Sequence, residues 1–466
     1  MRKVGIAMKR HQQSMLHGPL FPSIIAYTIP IIITSVLQLL FNAADLVVVG
    51  QFCGSISVAA VGATGSITTL ITSIFVNLSM GVGVGVAHAV GSKNESAIHR
   101  YVHTAIPLGL ISGVIVTTVG VSFSETFLTW MGTPEDVLVL SAVYMRIYFC
   151  GITFSLTYNF CASILRATGD TRSPLVFLFI AGIVNVVLNL IFVVFFHMNV
   201  AGVALATAIS QAVSAVLVIR ALMRRTDACK LELKKIRIYK KQLLRVISLG
   251  LPAGIQGSLI NISNVLIQTS INSFGQIVMS GHAAASNIAG FIYMSMNAYQ
   301  QAAMNFTGQN AGAGQHHRIK KILGVCLASV AVTGLMVAGI ANLFGHQLLS
   351  IYINDSAEAV TYGLLHLTIY CIPYFLCGMM ESVVGVLRGL GRSVLPMIMS
   401  MLGMCIFRIF WVMVIFPIPQ FHSPQWIYGS FPISWILTLT GDLIAFFFVF
   451  RKIHKIHTPK TAPSGS

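Results

Sequence analysis

Asp45 is the only charged residue between Arg10 and Lys93, and it lies inside SIIAYTIPIIITSVLQLLFNAADLVVVG at 23–50, an apolar run long enough to cross a bilayer. A carboxylate at membrane depth costs about 2.5 to 3.5 kcal/mol even on a lenient insertion scale, so such residues mark ion pathways and proton relays. Thr34, Gln38, Asn42 and Asp45 recur at spacings of four, four and three, which places them on one helical face. That face must turn away from lipid. Two more polar pairs sit one turn apart in apolar segments, Asn185 with Asn189 and Thr207 with Gln211. Amide and hydroxyl oxygens beside a carboxylate suit a hard monovalent cation, Na⁺, or a proton on the carboxylate itself. The same side chains also serve as interhelical hydrogen bonds, worth about 0.6 kcal/mol each in a membrane.

Other intramembrane polar groups are candidates of a second rank. Glu381 is the only charge between Glu358 and Arg388, and it suits either proton uptake or a structural pair with Arg408 or Arg146. Asp442 in WILTLTGDLIAFFF lacks an amide stripe, so a structural ion pair is expected for it. Asn261, Asn264 and Gln268, then Asn287, Asn297, Gln300, Gln301 and Asn305, either line an aqueous cleft or bind helices together. His88 and His282 read as packed or hydrogen-bonded histidines. The glycines of MGVGVGVAHAVG resemble a nucleotide loop but sit in an apolar span, where glycine permits close helix contact. No G-x-x-x-x-G-K-[ST], H-E-x-x-H or G-x-S-x-G occurs, so neither ATP hydrolysis nor a hydrolytic site is supported, no cofactor and no metal other than Na⁺ at Asp45, Asn185, Asn189 and Thr207 is expected, and the protein reads as a non-enzyme.

The elements that position these groups are membrane spans. The 466 residues are 56% hydrophobic and 9% charged, far from the roughly 25% charged of soluble domains. The spacing predicts twelve spans, near 23–50, 57–87, 103–123, 137–161, 174–196, 201–223, 246–273, 278–306, 322–350, 360–386, 394–416 and 427–450. The formal charge of +17 is spread over short loops, which excludes a nucleic-acid face. Apart from Arg146 and Arg408, lysines and arginines gather at the N-terminus, at connections after even-numbered spans and at the C-terminus. Odd-numbered connections hold Glu125, Glu135, Asp136, Asp355 and Glu358. That asymmetry places both termini in the cytoplasm. The basic N-terminus precedes no short apolar core with a small-residue cleavage site, so the first span is expected to persist. The basic connection ALMRRTDACKLELKKIRIYKKQLLR reads as a surface helix on anionic lipid or as a solvated linker. The eight cysteines form no C-x-x-C pair and read as free, packed thiols.

An offset of 222 pairs Pro30 with Pro252, Leu37 with Leu259, Asn42 with Asn264, Tyr148 with Tyr370, Arg166 with Arg388, Gly169 with Gly391 and Pro174 with Pro396. The chain is a duplication of six spans, divided into an N-terminal tail at 1–22, a first lobe at 23–223, a linker at 224–245, a second lobe at 246–450 and a tail at 451–466. Parallel repeats imply a pseudo-two-fold axis along the membrane normal and transport by alternating access. The repeat breaks where Asp45 pairs with Ile267 and Glu381 with Asn159.

The proline and N-x-x-D-x-x-x-x-G of the first span, LRATGDTRSP at 165–174, the N-x-x-x-N of span five and GLPAGIQ opening span seven together resemble the multidrug and toxic compound extrusion (MATE) family, closest to its DinF-like bacterial branch. The resemblance covers all twelve spans. It implies an all-α polytopic protein of two six-helix lobes in a bacterial inner membrane, exporting amphipathic, often cationic compounds in exchange for H⁺ or Na⁺, with no obligate protein partner. Carried over by position, the family's cation site falls on Asp45, Asn185, Asn189 and Thr207; Gln38, Asn42, Gln211 and Glu381 are secondary candidates from their own places in the apolar spans. Many members have aspartate where this chain has Asn189, and the acidic residue some sodium-coupled relatives carry in span seven has no match here. A flippase for a lipid-linked envelope precursor is the other function the wider superfamily offers, and it would need Arg146 and Arg408 as buried cations for phosphates.

Overall fold

A bilayer core offers no water to backbone N–H and C=O groups, so a chain of long apolar runs satisfies them internally by forming helices. The computed structural model describes residues 15–353 and 356–457, and within them the chain is helical throughout, with turns between. The tail at 1–14, Asp355 and the end of the C-terminal tail lie outside the described residues.

The helices are α1 (Leu20–Cys53), α2 (Ser55–Gly91), α3 (Glu95–Ser122), the short α4 (Ser124–Trp130), α5 (Glu135–Ala167), α6 (Arg172–Phe195) and α7 (Asn199–Met223). Then come α8 (Lys240–Asn272), α9 (Gln276–Gly312), α10 (His316–Leu343), the short α11 (Gly345–Ser350), α12 (Ala357–Gly389), α13 (Val394–Ile415) and α14 (Pro424–His457). Eleven are long and apolar enough to cross a membrane. The twelfth of crossing length is α9, with 37 residues, where Asn287, Asn297, Gln300, Gln301 and Asn305 dilute the apolar character. The twelve expected spans are all present.

The duplication is visible in the helix bounds. Ser55–Gly91 and Glu95–Ser122 recur as Gln276–Gly312 and His316–Leu343, and Glu135–Ala167 recurs as Ala357–Gly389. The first two pairs are displaced by 221 positions and the third by 222, so one residue was gained between them. Both fifth helices end alike. The Asp170 N–H bonds the Leu165 carbonyl at 3.0 Å with Gly169 at φ 91°, and the Arg392 N–H bonds the Leu387 carbonyl at 2.9 Å with Gly391 at φ 77°. Only glycine enters that left-handed conformation without cost, and the six-to-one bond closes the helix.

The chain divides into two compact units, Met1–Asn261 and Ile262–Ser466. In the first, α5 is central and packs on α2, α3 and α7, burying Phe149 and Phe160 completely. In the second, α12 holds the same place against α9, α10 and α14.

The basic connection after α7 forms no surface helix. It contains one 3₁₀ turn, Leu233–Lys235, and it is not fully solvated either, since Cys229 and Leu231 insert into the core of the first unit. Burial pushes the Cys229 thiol up to about 12. All eight cysteines are free, and six are buried.

Candidate functional site

Three helices of the first unit converge on Asp45. α1 carries the carboxylate, 7% exposed, into the interior. From α6, the Asn189 Nδ2 donates to Asp45 Oδ1 at 2.5 Å, and Asn189 is completely buried. From α7, the Thr207 hydroxyl donates to Asp45 Oδ2 at 3.3 Å. Asn185 closes the ring: its Nδ2 donates to Thr207 Oγ1 at 3.2 Å, and its Oδ1 accepts from Asn189 at 3.3 Å.

Small residues let these helices approach. A Cβ at Gly182, one turn before Asn185, would overlap the ring of Phe41, one turn before Asp45. A Cβ at Gly151 on α5 would lie 2.8 Å from the Ala208 Cα, beside Thr207. Close backbone approach through small residues is the usual means of tight helix packing in membranes.

The arrangement can hold one monovalent cation. Each of the four side chains carries an oxygen able to serve as a ligand, and one carboxylate supplies the charge. Asn189 Oδ1 is buried with no hydrogen-bond partner, so a half-turn of that amide would present an oxygen beside Asp45. A proton on Asp45 satisfies the same geometry. Among the described residues no group of three or more His, Cys, Asp or Glu side chains comes together as a metal site.

The four residues expected in the cation site are therefore brought together, and the secondary ones are not. Gln38 and Asn42 are exposed. The Thr34 hydroxyl bonds its own helix at the Pro30 carbonyl, 2.6 Å away. Gln211 lies at the margin, with Tyr148 interacting with both it and Asp45. Tyr148 was legible only as a repeat marker.

In the second unit Glu381, 8% exposed, accepts a hydrogen bond from Gln300 Nε2. Its electrostatic partner is Arg388 rather than Arg408 or Arg146. Glu381 and Arg388 are seven apart on α12, two turns along one face, which was the available signal. The expected ion pair of Asp442 does not form within 4.0 Å among the described residues. Asp442 is completely buried, neither oxygen accepts a hydrogen bond, and Arg388 and Glu381 act on it from farther away. His282 packs on His366 with ring centroids 4.7 Å apart and bonds Gln268 Oε1 at 3.1 Å. Arg146 is half-exposed and pairs with Glu125 at 2.8 Å, so the two buried arginines that phosphates would require are not assembled.

Duplicated membrane helices around buried polar centres have the architecture of a membrane transporter. The chain belongs to the MatE family, whose profile matches residues 30–191 and 252–414. Among curated relatives, the probable multidrug resistance protein YoeA of Bacillus subtilis is 26% identical over 80% of this chain and 82% of its own. The multidrug export protein MepA of Staphylococcus aureus is 21% identical over 92% of each. Among solved structures, a MATE protein in complex with MaL6 superposes with a TM-score of 0.87 at 19% identity, covering 95% of this chain and 98% of that one. The bent form of the Vibrio cholerae MATE transporter VcmN gives 0.85 at 21% identity over 94% and 99%. At those identities the structural likeness establishes the fold.

Proposed function

We infer that the protein is a secondary active exporter of amphipathic, often cationic organic compounds, driven by antiport of H⁺ or Na⁺ at Asp45. The observation that carries this reading is the buried Asp45 carboxylate bonded by Asn189 and Thr207, with Asn185 behind them. An intramembrane carboxylate held by neutral donors is a poised cation site, because entry of one H⁺ or Na⁺ removes its charge and changes what the amides bond. The multidrug names of the relatives support the cargo class. Both termini face the cytoplasm of a bacterial inner membrane by the distribution of lysine and arginine. The lobes span 23–223 and 246–450, joined by the basic linker at 224–245, and exchange access while Asp45 is loaded from outside and emptied inside. The four-residue site is primary, and Glu381 is secondary.

Reconstituted protein, a fluorescent organic cation and an imposed pH or sodium gradient test the reading. Wild-type protein is expected to move the dye against one gradient, which names the ion, and Asp45→Asn to lose that response. Gradient-driven transport by Asp45→Asn at the wild-type rate would overturn it.

A further inference from the structure

The repeat that places Asp45 in the first unit has a counterpart of opposite charge in the second. α1, α6 and α7 meet at Asp45, and the corresponding helices α8, α13 and α14 meet at Arg408. Arg408 Nε donates to Ser434 Oγ of α14 at 3.0 Å, and Nη1 donates to Asn264 Oδ1 of α8 at 3.1 Å. Asn264 is the repeat mate of Asn42, and Ile267 stands where the first unit has Asp45. The guanidinium carbon lies 4.2 Å over the Phe431 ring, and Tyr370 packs against Phe431 and Trp435 with centroids 4.7 and 5.3 Å away.

Among the described residues this cation has no counter-charge within 4.0 Å. Arg408 is 2% exposed and takes part in no ion pair among the described residues. The buried carboxylates of the unit, Glu381 and Asp442, both face Arg388 instead. Arginine does not shed its proton in a protein, so its charge persists, and an uncompensated buried charge is costly. Two donors on one helix remain unused. Arg408 Nη2 has no acceptor, and neither has Trp411 Nε1, three residues on and the repeat mate of Asn189.

We propose that Arg408 and Trp411 form a binding site for a single monovalent anionic group, the carboxylate of an aromatic cargo or a free halide, in the second unit. Charge-assisted N–H donors bind carboxylate and halide strongly when dry, and the neighbouring aromatic rings suit an aromatic cargo. The duplicated three-helix junction then serves a cation in one half and an anion in the other.

Full-length protein in lipid nanodiscs, with thermal unfolding followed in sodium gluconate, sodium chloride or sodium benzoate, tests this. A ligand that binds only the folded state raises the unfolding temperature saturably. Wild type is expected to respond to benzoate or chloride, Arg408→Gln to bind at least roughly 30-fold more weakly, and Trp411→Phe several-fold more weakly. A response to benzoate and not chloride assigns the site to a cargo carboxylate, and a chloride response equal to or stronger than that to benzoate assigns it to the halide. No saturable response in wild type, or equal responses in wild type and Trp411→Phe, would overturn the proposal, including where Arg408→Gln fails to fold. Asp45→Asn should keep the anion response, so loss of coupling and loss of this site are read separately.

Discussion

Asn189 Nδ2 meets Asp45 Oδ1 at 2.5 Å across 144 positions of chain, joining α6 to α1 inside the first unit. The single formal charge of the pocket is thus held by a neutral amide.

Asn189→Asp should convert the pocket into one with two carboxylates. Oxygen sites tune cation affinity by the number of charged ligands, so sodium binding is expected to tighten about tenfold or more. Sodium-dependent thermal stabilisation of purified protein, compared with wild type in a potassium buffer, measures it, and an unchanged sodium response would argue against a cation at this position.

Gly182→Val should separate α1 from α6 by forcing the Phe41 ring aside. Overpacking of this kind costs about 1 to 3 kcal/mol, and here it also pulls Asn185 and Asn189 from Asp45. A fall in unfolding temperature together with lost gradient-driven transport is expected. Adding Phe41→Ala to Gly182→Val should restore part of both.

Glu381→Leu should destabilise the second unit by about 3 kcal/mol, since it strips Gln300 of its acceptor and leaves Arg388 with a more distant counter-charge. Glu381→Gln still accepts from Gln300 and should be the milder change. Chemical unfolding of the two variants gives the comparison, and equal losses would show that the Gln300 contact contributes nothing.

Asp227, in the connection after α7, bonds Arg225 at 2.6 Å. Partial burial pushes its carboxyl up, but the hydrogen bonds from Arg225 outweigh this and hold it below the usual range. Its folded value is the depressed one, so its contribution is present above the unfolded carboxyl value of about 3.9 and fades as pH falls through the folded one. Asp227→Asn should lower stability slightly at pH 7, by less than about 1 kcal/mol because the Asp227 carboxylate is half-exposed, and match wild type at strongly acid pH. A difference that grows on acidification would contradict the assignment.

Much of this protein is legible in its sequence, because a bilayer enforces simple rules. Apolar runs of fixed length must be helices, a lone Asp45 must be shielded from lipid, and a repeat offset must reproduce the same helices, down to the glycine caps at Gly169 and Gly391. Asn185, Asn189 and Thr207 were legible as an oxygen-rich set by resemblance and by helical spacing. Which polar group meets which was decided only by packing. Gln38 and Asn42 share a helical face with Asp45 in sequence, yet they are exposed, because a face about 100° wide includes both the junction and its margin. Glu381 turned to Gln300 and Arg388, Asp442 lies without a hydrogen bond, and Arg408 faces an aromatic wall. Gln300 reaches Glu381 from α9, and Asn264 and Ser434 reach Arg408 from α8 and α14, and only the tertiary structure brings those helices within the roughly 3 Å over which hydrogen bonds act.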